Sequence, residues 1–151
     1  MIFSGCSAPP GGGGGNDNSA PTVDPVFAAD YRTTYRLVRD CRNSSAHPAT
    51  MRVYVNEVGA DAYEAEANPL PEGTIVVKEE FGGTDCDDDG QILSWVAMLK
   101  REPGYDADDG DWQWQRVLSP NRGVFTNDKS SCISCHRAPD CLVRDLMCTE
   151  P

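Results

Sequence analysis

Apolar side chains recur at two different periods along this chain, and the change of period divides it into elements. Asp24-Pro25 has the form of a helix start, an N-cap carboxylate followed by proline at the first helical position. Phe27, Tyr31, Tyr35 and Val38 follow at helical spacing as far as Cys41 and predict a helix with an aromatic, core-facing stripe. Asn43 to Pro48 reads as a loop, and His47 within it as a solvent-facing side chain with no assigned role. From Thr50 to Asn56 the period falls to two. Met51, Val53 and Val55 alternate with Arg52, Tyr54 and Asn56, which predicts a strand. Asp61 to Ala67 predicts a short alanine-rich helix, ended by Pro69-Leu70-Pro71-Glu72-Gly73.

Thr74 to Phe81, with β-branched Ile75, Val76 and Val77, predicts a second strand. Gln91 to Arg101, carrying Trp95, predicts a third, and Trp112 to Leu118 a fourth. The fourth puts Trp112, Trp114 and Arg116 on one face and Gln113, Gln115 and Val117 on the other. Pro103-Gly104 and Asp109-Gly110 mark the turn between the last two. Strands joined by turns and flanked by helices predict an α+β fold, mainly antiparallel β-sheet with flanking short helices.

The first 25 residues stand outside these patterns and predict a tail separate from a domain over 26–151. Phe3-Ser4-Gly5-Cys6 resembles a bacterial lipobox, with Cys6 as the lipidated residue, although only Met1-Ile2 precedes it where an apolar signal core belongs. Pro9-Pro10 and the glycines from Gly11 to Gly15 give linker composition, which cannot bury a core. Ser7 follows the cysteine where an inner-membrane retention signal would have Asp, which favours an outer-membrane anchor. The net charge of -11 argues against nucleic acid and against an anionic membrane surface as partners. Any membrane contact is then through the lipid anchor alone, on the periplasmic side or at the cell surface.

The candidate chemistry sits near the C-terminus. Cys132-Ile133-Ser134-Cys135-His136 has the C-x-x-C-H form of c-type haem attachment. Two thiols at this spacing add across the haem vinyl groups, and the adjacent His136 ligates the iron through an imidazole nitrogen. A disulfide, or half a zinc site, is the competing reading. Zinc wants four ligands, and the remaining cysteines make no second close pair. Cys41, Cys86, Cys141 and Cys148 are an even set that suits disulfides, and disulfides persist outside the cytosol, where haem is also attached. Of the three pairings open to them, we take Cys141–Cys148 with Cys41–Cys86.

Four segments together resemble the cytochrome P-460 family, which includes the cytochromes called c-prime-beta. They are Arg52-Val53-Tyr54-Val55-Asn56, then Leu70-Pro71-Glu72-Gly73-Thr74-Ile75-Val76-Val77-Lys78-Glu79, then Pro103-Gly104-Tyr105-Asp106 with Gly110-Asp111-Trp112, and the haem motif. The resemblance spans about residues 26 to 147. It implies one covalent haem c, five-coordinate with His136 as proximal ligand, in a β-rich fold that is often dimeric. One branch of the family joins a lysine to the porphyrin and oxidises hydroxylamine, passing electrons to a partner such as another cytochrome. The matching position here is Lys78. The other branch lacks the link and binds nitric oxide or carbon monoxide. Active members hold a carboxylate over the distal haem just before the haem motif, which here falls on Asp128. Phe81 and Trp95 are candidates to wall that distal side.

Three further features remain open. Asp85-Cys86-Asp87-Asp88-Asp89-Gly90 is the first half of an EF-hand calcium loop, with Asp85, Asp87 and Asp89 as ligands, but Val96 stands where the bidentate Glu belongs. Met51, Met98 and Met147 are candidate sixth haem ligands, which would make an electron carrier. A disulfide-stapled structural domain without haem is the last alternative.

Overall fold

The computed structural model of this protein describes residues 23–44, 49–87, 91–119, 123–126 and 128–148. Cys6, the linker, His47, Asp89 and Asn127 lie outside the described residues. The elements in chain order are α1 (Tyr31–Thr34), β1 (Arg36–Asn43), β2 (Thr50–Val55), α2 (Ala60–Glu64), β3 (Ile75–Phe81), β4 (Ile92–Lys100), β5 (Trp112–Leu118), β6 (Gly123–Thr126), α3 (Ile133–His136) and α4 (Pro139–Leu142). The six strands form one sheet in sequence order, each antiparallel to the next. The α+β expectation holds, and the fourth predicted strand has the observed bounds.

The long N-terminal helix is not there. Only Tyr31–Thr34 is helical, and Tyr35 is extended at φ -104°, ψ 155°. The reason is tertiary. Buried Gln115 of β5 accepts the Val26 N–H at 2.7 Å and donates to the Asp24 carbonyl at 3.3 Å, so this backbone is held to the sheet before a helix can start. The aromatic stripe still goes into the core, with Phe27 and Tyr31 buried and their rings edge to face at 5.2 Å. The second half of the expected helix is the edge strand β1. Its Arg-Leu-Val-Arg-Asp-Cys-Arg-Asn sequence has little alternation, as suits an edge that must not pair with other chains. Cys41 on this strand is joined by a disulfide to Cys86. The other edge, β6, is only four residues long and gives no period to detect.

The sheet has two covered faces, so it has two cores. On one, Val53, Val55, Val76, Met98, Trp112 and Trp114 pack with α2 and with the chain around Leu146 and Met147. On the other, Tyr54, Val77, Phe81, Trp95 and Val117 pack under Phe27 and Tyr31. β3 lies between β2 and β4 in the middle of both. This explains how a strand carrying Lys78-Glu79-Glu80 has all three side chains buried. No helix among the described residues is long and apolar enough to cross a membrane.

Candidate haem site

Alternation along β3 sends Val76, Lys78 and Glu80 to the first face and Val77, Glu79 and Phe81 to the second. The strand register sets Val53, Lys78, Val96 and Arg116 side by side across β2 to β5, with Arg39 of β1 opposite Val53. Val55, Val76, Met98 and Trp114 form the adjoining row. The C-x-x-C-H segment lies against this face, where Cys132 and Ile133 pack on the Trp114 cluster.

The motif itself is one helical turn. The Cys135 and His136 N–H groups each donate to the Cys132 carbonyl at 3.2 Å. Cys132 and Cys135 are therefore neighbours three apart on one side of the turn, and His136 lies one position on. His136 is buried, and its ring meets the edge of Trp114 at a centroid distance of 4.7 Å. Its Nδ1 is 2.7 Å from the Leu146 carbonyl oxygen. A carbonyl only accepts, so Nδ1 carries the proton and the neutral ring has its lone pair on Nε2. That is the tautomer an Nε2 metal ligand needs, with the outer hydrogen bond fixing its orientation.

Lys78 is the unusual group on this face. Burial pushes its amine below the ordinary value, with Glu80 opposing, Arg39 adding to the depression, and Cys132 opposing. No hydrogen bond joins its Nζ to another described residue. Glu80 lies two positions along, also buried. Its Oε2 accepts from Ser94 Oγ at 2.5 Å and from Arg116 Nη2 at 2.8 Å. The indole N–H of Trp114 is buried with no acceptor among the described residues. An amine and an indole N–H without such partners on one buried face fit a bound group there, because such donors are costly to leave unsatisfied. His136 would supply a ligand to such a group and Cys132 a thiol; Cys132 carries no disulfide. Cys135 is held in a disulfide. Thioether attachment requires that thiol reduced, so the bridge and the haem link exclude each other.

A loop and a tail hold the motif in place. Between β4 and β5, a 3-10 turn at Ala107–Asp109 buries Asp109. Its carboxylate takes Arg137 Nε at 2.6 Å and the Lys129 ammonium, which also pairs with Asp106 at 2.5 Å. Burial would raise the Asp109 carboxyl, but the bonds from Arg137 and Lys129 outweigh it and hold it below its ordinary value. The P-G-Y-D…G-D-W stretch thus clamps the chain on both sides of Cys132. After the motif, a Cys141–Cys148 disulfide closes the tail over the same region.

Several expected residues are elsewhere. Phe81 and Trp95 belong to the core of the opposite face, because their β3 and β4 positions have the other parity from Lys78 and Val96. They do not wall this site. Asp128 is exposed, and its Oδ1 accepts from the Ser130 N–H at 2.8 Å and the Ser130 hydroxyl at 2.6 Å, which is turn chemistry. The calcium expectation is not supported. No cluster of three or more metal-binding side chains occurs among the described residues. Arg52 pairs with Asp87 at 2.6 Å and donates to the Cys86 carbonyl at 2.8 Å, so a fixed cation already serves that loop. Met98 and Met147 are core residues on the site face, and Met51 is buried.

Sequence reasoning passed over Ser94, Arg39, Leu146 and Asp145. Ser94 and Arg39 lack a local signal, but register from Lys78 through Glu80 reaches Ser94. A family model described as Cytochrome P460 matches residues 28–145. No curated protein matches the chain. The chain belongs to the cytochrome P460 family, c-type haem proteins that act on small nitrogen species.

Proposed function

We propose that the haem is attached through Cys132 and Cys135 with His136 as the proximal iron ligand, that Lys78 bonds covalently to the porphyrin, and that the protein oxidises hydroxylamine. The observation that carries this is the desolvated Lys78 amine on the same face as Cys132. Only neutral amine is nucleophilic, and burial favours that form. Joining it to a ring carbon would replace one N–H and one C–H bond by an N–C bond and release two protons and two electrons, the electrons passing to an external acceptor. When bound, ferric haem supplies an electrophilic iron that holds the substrate nitrogen and accepts electrons. Two hydroxylamine molecules give nitrous oxide and water with release of four electrons and four protons. The protons need an acceptor, and Glu80, buried on this face and held by Arg116 and Ser94, is better placed by exposure than Asp128. The electrons go to an external acceptor such as another cytochrome.

The exposed turn at Asp128 supports a second reading, in which the site binds nitric oxide without turnover. We further propose a periplasmic or cell-surface lipoprotein, lipidated at Cys6 and outer-membrane anchored, with the homodimerisation that the family resemblance implies. Two disulfides among the described residues suit an oxidising compartment.

The ferrous optical spectrum of protein matured with haem-attachment machinery tests the assignment. A Soret band well to the red of ordinary c-type haem, lost in Lys78→Ala, is expected. A band at the ordinary position in the wild type would remove the Lys78 link. Failure of hydroxylamine to reduce an artificial electron acceptor through the holoprotein would remove the oxidase reading and leave gas binding.

A further inference from the structure

The segment after the haem motif contains a buried ion pair that no chemistry above uses. Lys100 Nζ lies 2.6 Å from Asp145 Oδ2, and both side chains are buried. The same carboxylate oxygen accepts the Leu70 N–H at 2.8 Å. The Asp145 carbonyl accepts the Trp112 indole N–H at 3.0 Å. Lys100 also donates to the Gly110 carbonyl at 2.7 Å and stands over the Trp112 ring. The loop before β3, the end of β4, the β4–β5 turn and the start of β5 therefore all converge on Asp145.

The backbone at this point is strained. Asp145 has φ 54° and Leu146 φ 69°, two consecutive non-glycine residues in the left-handed region. L-residues adopt that region at a cost, and runs of it persist only where surroundings over-determine them. Here the left-handed pair follows α4, and the Leu146 N–H bonds back to the Cys141 carbonyl at 2.8 Å. The result is a reversed carbonyl: Leu146 C=O accepts from His136 Nδ1.

We infer that Asp145, held by Lys100, is a positioning residue for His136, acting through the Leu146 carbonyl. The inference rests on His136 being the iron ligand. The strained pair turns the carbonyl toward the imidazole, and the buried ion pair keeps the strained pair in place. A carbonyl bonded to Nδ1–H increases imidazole basicity and so its donation to iron. Asp145 thereby tunes the proximal ligand without touching it. A purely structural anchor would stabilise the tail and leave the ligand strength unchanged.

Resonance Raman of the ferrous holoprotein and its reduction potential separate these two. Asp145→Asn keeps an acceptor for Leu70 but loses the charge that holds Lys100. It should lower the iron–histidine stretching frequency and raise the potential, since a weaker Nδ1 bond leaves a weaker donor. Lys100→Gln should move both in the same direction, and it covers the case in which Asp145→Asn does not fold. Glu66→Gln removes the exposed partner of Arg144 on the same tail, 3.7 Å away, and should move neither. An iron–histidine mode that neither Asp145→Asn nor Lys100→Gln shifts overturns the inference alone. A wild-type holoprotein without any such mode overturns the ligand assignment and this inference with it.

Discussion

The two faces of the sheet bury charged side chains from adjacent positions on one strand, yet treat them in opposite ways. Glu79 points into the Tyr31 face, where its Oε1 accepts both the Tyr31 hydroxyl and Arg32 Nε, the latter at 2.5 Å. Trp95 completes that set by donating to the Tyr31 oxygen at 2.8 Å. Burial and the Glu79 carboxylate push the Tyr31 phenol far above its ordinary value, so it stays protonated and keeps donating. Lys78, one residue back, faces the other core, and no hydrogen bond joins its amine to another described residue. The first arrangement ties the N-terminal segment to the sheet. The second leaves a desolvated amine on the candidate site's face. The contrast teaches that burial alone does not mark a functional charge; the groups that meet it must be read as well.

Each face can be disturbed without the other. The largest stability loss should come from Cys41→Ala with Cys86→Ala, on the edge of the Tyr31 face. Their sequence separation of 45 gives a loop-entropy loss of about 4 kcal/mol. Denaturant unfolding should show it with the haem spectrum unchanged. Glu79→Leu should cost about 3 kcal/mol, the low end for a broken buried pair because Arg32 stays 31% exposed. It too should leave the spectrum alone. A spectral change in either would mean the faces are coupled.

On the site face the effect is a change of slope. The folded chain holds the Lys78 amine below the ordinary 10.5, while the unfolded chain binds its proton up to that pH. In that window the unfolded state carries more protons, so stability rises with pH toward 10.5 and is lost as pH falls through the folded value. Lys78→Met should flatten this slope in chain produced without haem, as denaturant midpoints at increasing pH would show. The smallest effect is expected at Asp128. Asp128→Asn should change stability by less than about 0.5 kcal/mol and leave hydroxylamine-dependent acceptor reduction intact, whereas Glu80→Gln should slow it. The opposite ranking in steady-state rates would return the proton acceptor to the loop before the motif.

Much of the fold was legible locally. β2 to β5 alternate clearly enough to be read from their side chains, and Cys132 to His136 carries its chemistry in its spacing. Two disulfides whose cysteines both lie among the described residues join the pairs named from sequence. What failed did so for identifiable reasons. Tyr31 and Tyr35 lie at helical spacing, but Gln115, some eighty positions on, holds the segment extended at its start. Phe81 and Trp95 looked like pocket walls because a single strand gives parity without saying which parity shares a face with Cys132.

By itself, then, the sequence determined the strands β2 to β5, the C-x-x-C-H spacing and the family. These are set by period, spacing and local residue chemistry, which need no distant partner. Tertiary structure alone decided which face of β3 carries the site, that Lys78 is desolvated there, and that Leu146 meets His136. Those facts depend on register between strands and on a left-handed backbone at Asp145 and Leu146, held by Lys100 from the far end of β4. No local pattern encodes such a contact, because its free energy comes from residues brought together only when the sheet closes.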